Sequence, residues 1–282
     1  MKILSTIHEM PFRTLQRMTV LNPAAVDLVK LLAMLTMLLD HFNTLFLSPL
    51  RPELYALGRA AFPLFSLIWA INVNRKPERL QFQANRLWLW ALVTQPVFML
   101  AFRQHDPWYA LNILFVFAGT TQLLAWHRQS GTCGVAAGTA LLAVLAWPLS
   151  PASYGLQGEI LTVGLAVIAG SASAQVRYCA GWAVFLSLVT LNGASHLATM
   201  PVATLVFATL PTCLFPWMVV TAAQQFMADK HRRWLPARFF LSGICRASPA
   251  RRNDSVFCLN RRGLPVLYRS DKPLKRRSDA KR

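Results

Sequence analysis

An aspartate and a histidine stand side by side at Asp40 and His41 inside the apolar run LTMLLDHFNTLF, and Arg59 follows in the next apolar run, within ALGRAAFPLF. A carboxylate at a bilayer centre costs about 2.5 to 3.5 kcal/mol on translocon scales, so a charge there is expected to be paired or functional. The combination suits acyl transfer. An imidazole can take the proton of a nucleophile attacking a carbonyl carbon, and a guanidinium can hold the developing oxyanion or a phosphate oxygen. A blander reading also fits, in which Asp40 and Arg59 form an interhelical ion pair that only fixes packing. Successive side chains on a helix point about 100° apart, so Asp40 and His41 are expected to serve different partners, Asp40 holding Arg59 and His41 facing a cavity.

Other polar groups are expected on the same side. Asn112 in WYALNILF and Tyr154, Gln157 and Glu159 in SPASYGLQGE outline an outer pocket with them, Asn112 and Tyr154 as its substrate-binding residues. Serine-hydrolase and zinc chemistry find no support, because neither G-x-S-x-G nor H-E-x-x-H occurs and His8, His105, His127, His196 and His231 are scattered singly. No metal site is expected. On the opposite side, Asn72, Asn74, Arg75, Lys76 and Arg86 could form a basic mouth for a nucleotide-bearing donor such as the phosphates of coenzyme A. A basic cluster at helix ends more often only anchors orientation. Asp27 and Lys30, spaced i,i+3, should pair near the start of the first helix.

The elements that must position these groups are membrane helices. The 282 residues are 55% hydrophobic and only 14% charged, more apolar material than one soluble core of this length needs. The expected fold is all-α, a polytopic integral membrane bundle of about eight helices. The apolar segments are 26–47, 55–73, 85–102, 108–126, 132–149, 159–173, 178–191 and 200–221, each near the roughly 20 residues a span needs, the sixth and seventh being short. Residues 1–25 then form a cytoplasmic segment and residues 230–282 a basic, disordered cytoplasmic tail. The start lacks an uninterrupted apolar run and a small-residue cleavage site, which argues against a removable signal peptide.

Orientation follows from the basic residues of the short connections. Lys2, Arg13, Arg17, Arg75, Lys76, Arg79, Arg86, Arg128 and Arg177 fall on one side, and only Arg51 and Arg103 on the other, so both termini are expected in the cytoplasm. His41 then lies roughly 9 Å below the outer end of its helix and Arg59 roughly 6 Å below the same surface, at 1.5 Å per residue. Trp69, Trp88, Trp90, Trp108, Trp126 and Trp217 are expected as an interfacial belt. Gly134 and Gly138 in CGVAAG fit close helix approach. Five cysteines, three of them in apolar stretches, give no disulfide framework.

The ordered blocks LLDHFN, GRAAFPLFSLIWAINVNR, NRLWLWALVTQ, PWYALNILFVF and PLSPASYGLQG together resemble the TraX family of conjugal transfer proteins. The resemblance implies a polytopic inner-membrane acetylase that modifies the N-terminal amine of pilin subunits with acetyl-CoA as co-substrate. The family's Leu-Asp-His falls on Leu39, Asp40 and His41, its Gly-Arg-x-Ala-Phe-Pro on Gly58–Pro63, its Asn-Ile-Leu-Phe on Asn112–Phe115 and its Ser-Tyr-Gly on Ser153–Gly155. On this reading His41 is the general base or acyl carrier, Arg59 the oxyanion or phosphate partner and Asp40 its orienter. Arg75, Lys76 and Arg86 face the donor.

The chain departs from the family past Arg238–Phe240, where a basic tail stands in place of a further apolar stretch. A shifted frame, a shortened gene copy or a cytoplasmic extension would each produce this, and loss of a final helix would bear on activity. Of the net charge of +18, +13 lies in residues 230–282, which favours contact with anionic lipid over nucleic acid for a membrane-tethered segment. The rival functions are acylation of a sugar or lipid, and proton-coupled transport of a small molecule.

Overall fold

The computed structural model describes residues 18–192 and 199–229, together with two short strands at 256–259 and 265–268. The chain divides into two units, Met1–Arg233 and Trp234–Arg282. The expectations for residues 1–17, for His8, His196 and His231, and for most of the tail lie outside the described residues.

The described part of the first unit is all helical. Helix α1, Pro23–Phe46, starts where the Asn22 side chain accepts the Ala25 N–H at 2.7 Å and Pro23 occupies the first turn. It is followed by α2, Pro52–Gly58, and α3, Ala61–Arg75. Helix α4 runs Leu80–Phe102, α5 Leu114–Leu149, α6 Gly155–Gly170 and α7 Ala174–Thr190. A last rod combines α8, Pro201–Thr204, a π-helical turn at Leu205–Thr209 and α9, Leu210–Phe226. In the second unit, β1, Val256–Leu259, pairs antiparallel with β2, Pro265–Tyr268, Phe257 standing opposite Leu267.

Helix α3 lies at the centre. Eleven of its fifteen residues are buried, from Ala61 to Val73, and it packs on α1 and α6. The surrounding helices turn apolar side chains outward: Leu100 and Val97 of α4 are each 70% exposed and Val144 of α5 is 73% exposed. A surface this greasy suits lipid rather than water. Among the described residues, three helical stretches are long and apolar enough to cross a membrane, Pro52–Arg75, Leu114–Leu149 and Pro201–Phe226, and Gly155–Gly170 is a shorter apolar helix.

All eight apolar segments of the sequence are largely helical, with four corrections. The second is broken at Arg59 and Ala60. The fourth begins at Leu114 rather than residue 108, because the chain from Pro107 is held in a loop by Asn112. The sixth begins at Gly155, which draws Glu159 into its second turn. Trp69 is in the core, its Nε1–H donating to Thr121 Oγ1 at 2.9 Å, and does not join an interfacial belt.

The fourth and fifth segments form the two arms of α5, folded back at Gly131, whose φ of +56° and ψ of −125° leave the helical region. A Cβ at Gly134 would overlap the Trp126 carbonyl, and one at Gly138 would crowd Leu123. The expected close approach at these glycines is therefore between the arms.

Candidate active site

Arg59 sits where the second apolar segment breaks. Pro63 has no N–H to close onto the Arg59 carbonyl four residues earlier, and its ring crowds that carbonyl. The chain tightens instead: the Arg59 N–H turns to the Tyr55 and Ala56 carbonyls and the Ala60 N–H to the Leu57 carbonyl, all at 3.3 Å. The joint sets the Arg59 side chain against α1. Nη2 donates to Asp40 Oδ1 at 2.5 Å, Nη1 to Asn192 Oδ1 at 2.9 Å and Nε to the Tyr55 carbonyl at 3.3 Å. The guanidinium also lies 4.1 Å from the centroid of the Tyr55 ring, within cation–π range.

Two features make room for this pair. Gly58 carries no Cβ, and one built there would land on the Asp40 carboxylate. Asn192, just beyond α7, is itself held, its Nδ2 donating to Thr212 Oγ1 at 2.7 Å while the Thr212 hydroxyl donates to the Ala208 carbonyl at 2.7 Å. Elements α1, α2, the end of α7 and α9 thus meet at one guanidinium. With side-chain exposures of 12% for Arg59 and 20% for Asp40, the pair is largely withdrawn from solvent.

Asp40 holds Arg59 and His41 turns to a different neighbour, as expected, although the imidazole also approaches the same carboxylate. His41 Nδ1 lies 3.9 Å from Asp40 Oδ2, beyond a hydrogen bond but within ion-pair reach, and its side chain is 47% exposed. The angular offset holds at Cβ, whereas the carboxylate presents two oxygens, one to Arg59 and one toward His41. The imidazole also meets the Phe102 ring edge-on, centroids 5.3 Å apart, and Phe102 lines a cleft. Tyr154 caps α6 in the left-handed region at φ 67° and stacks on Phe62 at 4.7 Å. Its phenol is held above its ordinary value by burial against the pull of Arg59, so it stays a neutral hydroxyl.

Among the described residues, the other expected residues share no hydrogen bond or ion pair with Asp40, His41 or Arg59. Asn112 donates to the Ala91 carbonyl and Gln95 Oε1, both at 2.9 Å, and accepts the Leu114 N–H at 3.0 Å, so it ties α5 to α4. Among the described residues no hydrogen bond joins it to Asp40, His41, Arg59 or Tyr154. Arg75, Lys76 and Arg86 are exposed, and Arg75 Nη2 donates to the Leu21 carbonyl at 3.1 Å. Arg75 and Lys76 stand at the far end of α3 from Arg59, about 24 Å away at 1.5 Å per residue. Asp27 and Lys30 approach to 3.7 Å as their spacing implied. Glu159 is 2% exposed and among the described residues neither carboxyl oxygen has a hydrogen-bond partner, while Gln157 is exposed. Among the described residues, no three His, Cys, Asp or Glu side chains gather as a metal site.

Tyr55, Asn192 and Thr212 escaped the sequence reading. Tyr55 carried a usable signal, standing four residues before Arg59 on the same helix face. Asn192 closes the apolar run LSLVTLN, and its pairing with a residue 133 positions away has no local mark.

A family model described as TraX protein matches residues 25–241. The chain belongs to the TraX family. Two proteins named Protein TraX, from Escherichia coli and from Escherichia coli strain K12, are 40% and 38% identical to it over 149 and 148 residues. Each match covers 52% of this chain and 57% of the relative, so the matched stretch spans little more than half of these curated relatives. No solved structure matches. The TraX match takes in Asp40, His41, Arg59, Tyr154, Asn192 and Thr212, and it ends within the basic tail.

Proposed function

We propose that this TraX-family chain is a multi-pass inner-membrane acetyltransferase that acetylates the N-terminal amine of pilin subunits during conjugal transfer, with acetyl-CoA as donor. The observation that carries the reading is the Asp40 carboxylate shared between Arg59 and His41, with the imidazole left half exposed. Asp40 keeps Arg59 in place and sets a carboxylate 3.9 Å from His41 Nδ1, and His41 Nε2 takes the proton of the attacking amine. The amine nitrogen bonds to the acetyl carbon, the carbon–sulfur bond breaks, and the thiolate of coenzyme A leaves with the displaced proton. Two Arg59 N–H groups remain beyond those donated to Asp40, Asn192 and the Tyr55 carbonyl, and they face the developing oxyanion with the Tyr154 hydroxyl.

The donor's phosphates are assigned to Arg75, Lys76 and Arg86 at the cytoplasmic end, and both termini to the cytoplasm. The acetyl group then reaches His41 either on the pantetheine arm, passing between helices, or as an acyl group carried by the imidazole. Purified full chain in nanodiscs, given labelled acetyl-CoA and a pilin peptide, should transfer label to the peptide N-terminus. The His41→Ala chain should transfer none, and undiminished transfer by it rejects the mechanism.

A further inference from the structure

The cleft beside His41 takes no part in the steps above. Phe98, Met99, Phe102, Arg103, Asp106 and Trp108 line it, at the end of α4 and the turn that follows. Phe98 and Phe102 stack at 5.1 Å, and Phe102 meets His41 edge-on at 5.3 Å, so one aromatic ring separates the cleft from the imidazole. The turn is fixed by its backbone. The His105 and Asp106 N–H groups both donate to the Phe102 carbonyl, at 2.8 and 2.9 Å, which holds Asp106 at the cleft. Asp106 and Arg103 form no salt bridge among the described residues. Burial holds the Asp106 carboxyl above its ordinary value against the pull of His105.

We propose that this cleft docks the first residue of a peptide acceptor before transfer, with its protonated amine on Asp106 and its side chain against Phe98, Met99 and Trp108; the amine gives that extra proton to solvent and passes Phe102 to reach His41 as the free nucleophile. The assignment rests on the acetyltransferase reading and names how the acceptor is recognised. Charge complementarity selects the occupant. Asp40 is committed to Arg59 and Glu159 is sealed from solvent, whereas Asp106 lines the cleft and is partly exposed. Arg103, which also lines the cleft, suits the carbonyl oxygen of the acceptor's first peptide bond. The site also favours turnover, because acetylation removes the ammonium charge and with it the hold of Asp106, so the product leaves more easily than the substrate.

The test uses the full chain in nanodiscs and the peptide Leu-Ser-Gly-Ser-Gly-Ser, dye-labelled at its C-terminus, with a free or an acetylated N-terminus, read by fluorescence polarisation. The free-amine form should bind about tenfold more tightly, as a partly exposed charge-assisted contact implies. Asp106→Asn should erase that preference, Asp106→Glu should keep it, and Phe98→Ala should weaken both forms. His41→Ala should retain the preference while losing acetyl transfer. Equal binding of the two peptides by the wild type, no binding of either, or an undiminished preference in Asp106→Asn overturns the assignment. An Asp106-dependent preference without any acetyl transfer from acetyl-CoA leaves the cleft standing and rejects the acetyltransferase reading.

Discussion

Replacing Asp40 by Asn keeps the size of the side chain and an oxygen for Arg59 but removes its charge. The two charge centres are about 4 Å apart, which at an effective dielectric of about 20 corresponds to roughly 4 kcal/mol of attraction. The guanidinium keeps Asn192, the Tyr55 carbonyl and the Tyr55 ring in both forms, so these cancel, whereas removing the buried Asp40 charge relieves its desolvation and offsets about 1 kcal/mol. Destabilisation of about 3 kcal/mol is therefore expected, in the range found when one partner of a buried pair is removed. Pairing Asp40→Asn with Arg59→Gln closes a thermodynamic cycle, and the double variant should be about 2 kcal/mol more stable than additivity allows. Equilibrium unfolding in detergent micelles measures the stabilities, and acetyl transfer is followed in parallel. Additive losses within about 0.5 kcal/mol would refute the claim that the ion pair organises this end of the molecule. The two measurements also separate catalysis from packing: a pair that only fixes helices would regain transfer along with stability, whereas a catalytic Arg59 and Asp40 leave the double variant folded and inactive.

Gly58→Ala should cost about 1 to 3 kcal/mol in the same unfolding assay and lower transfer, since the new methyl group displaces the Asp40 carboxylate. Asn192→Ala leaves one arm of Arg59 and the Thr212 hydroxyl with one partner fewer; transfer should fall about tenfold with little change in the Michaelis constant for acetyl-CoA, as steady-state kinetics can show. Neutralising Arg75, Lys76 and Arg86 together to Gln should raise that Michaelis constant at least tenfold at low salt and leave the maximal rate nearly unchanged; an unaltered value would remove them from donor binding. Gly134→Val should destabilise the chain by more than about 2 kcal/mol, because its side chain meets the Trp126 backbone rather than a movable side chain.

The meeting of Asp40 and Arg59 was legible because depth along a helix follows from counting residues, and two opposite charges at one depth on successive segments have strong reason to pair. The glycines at Gly134 and Gly138 were legible for a similar reason, small residues at helical spacing marking close approach. The break at Arg59 was written in Pro63 but is easily read as continuous helix, since the apolar pattern runs straight through it. The loop that Asn112 closes was not legible, because a polar residue at the edge of an apolar segment looks the same whether it faces a pocket or closes a loop. Its side chain proves fully engaged with α4 and the first turn of α5. Asn192 and Thr212 were beyond reach, as their roles depend on which distant helices become neighbours.

The fold at Gly131 has a consequence for how the chain tolerates change in length. Ordinary connections absorb insertions by bulging into solvent. Here one residue separates two arms whose register is keyed by Gly134 on Trp126 and Gly138 on Leu123. A single residue added between His127 and Cys133 would rotate the second arm by about 100° and present bulkier side chains to that seam. Indels there should behave like core lesions, not like neutral loop polymorphisms.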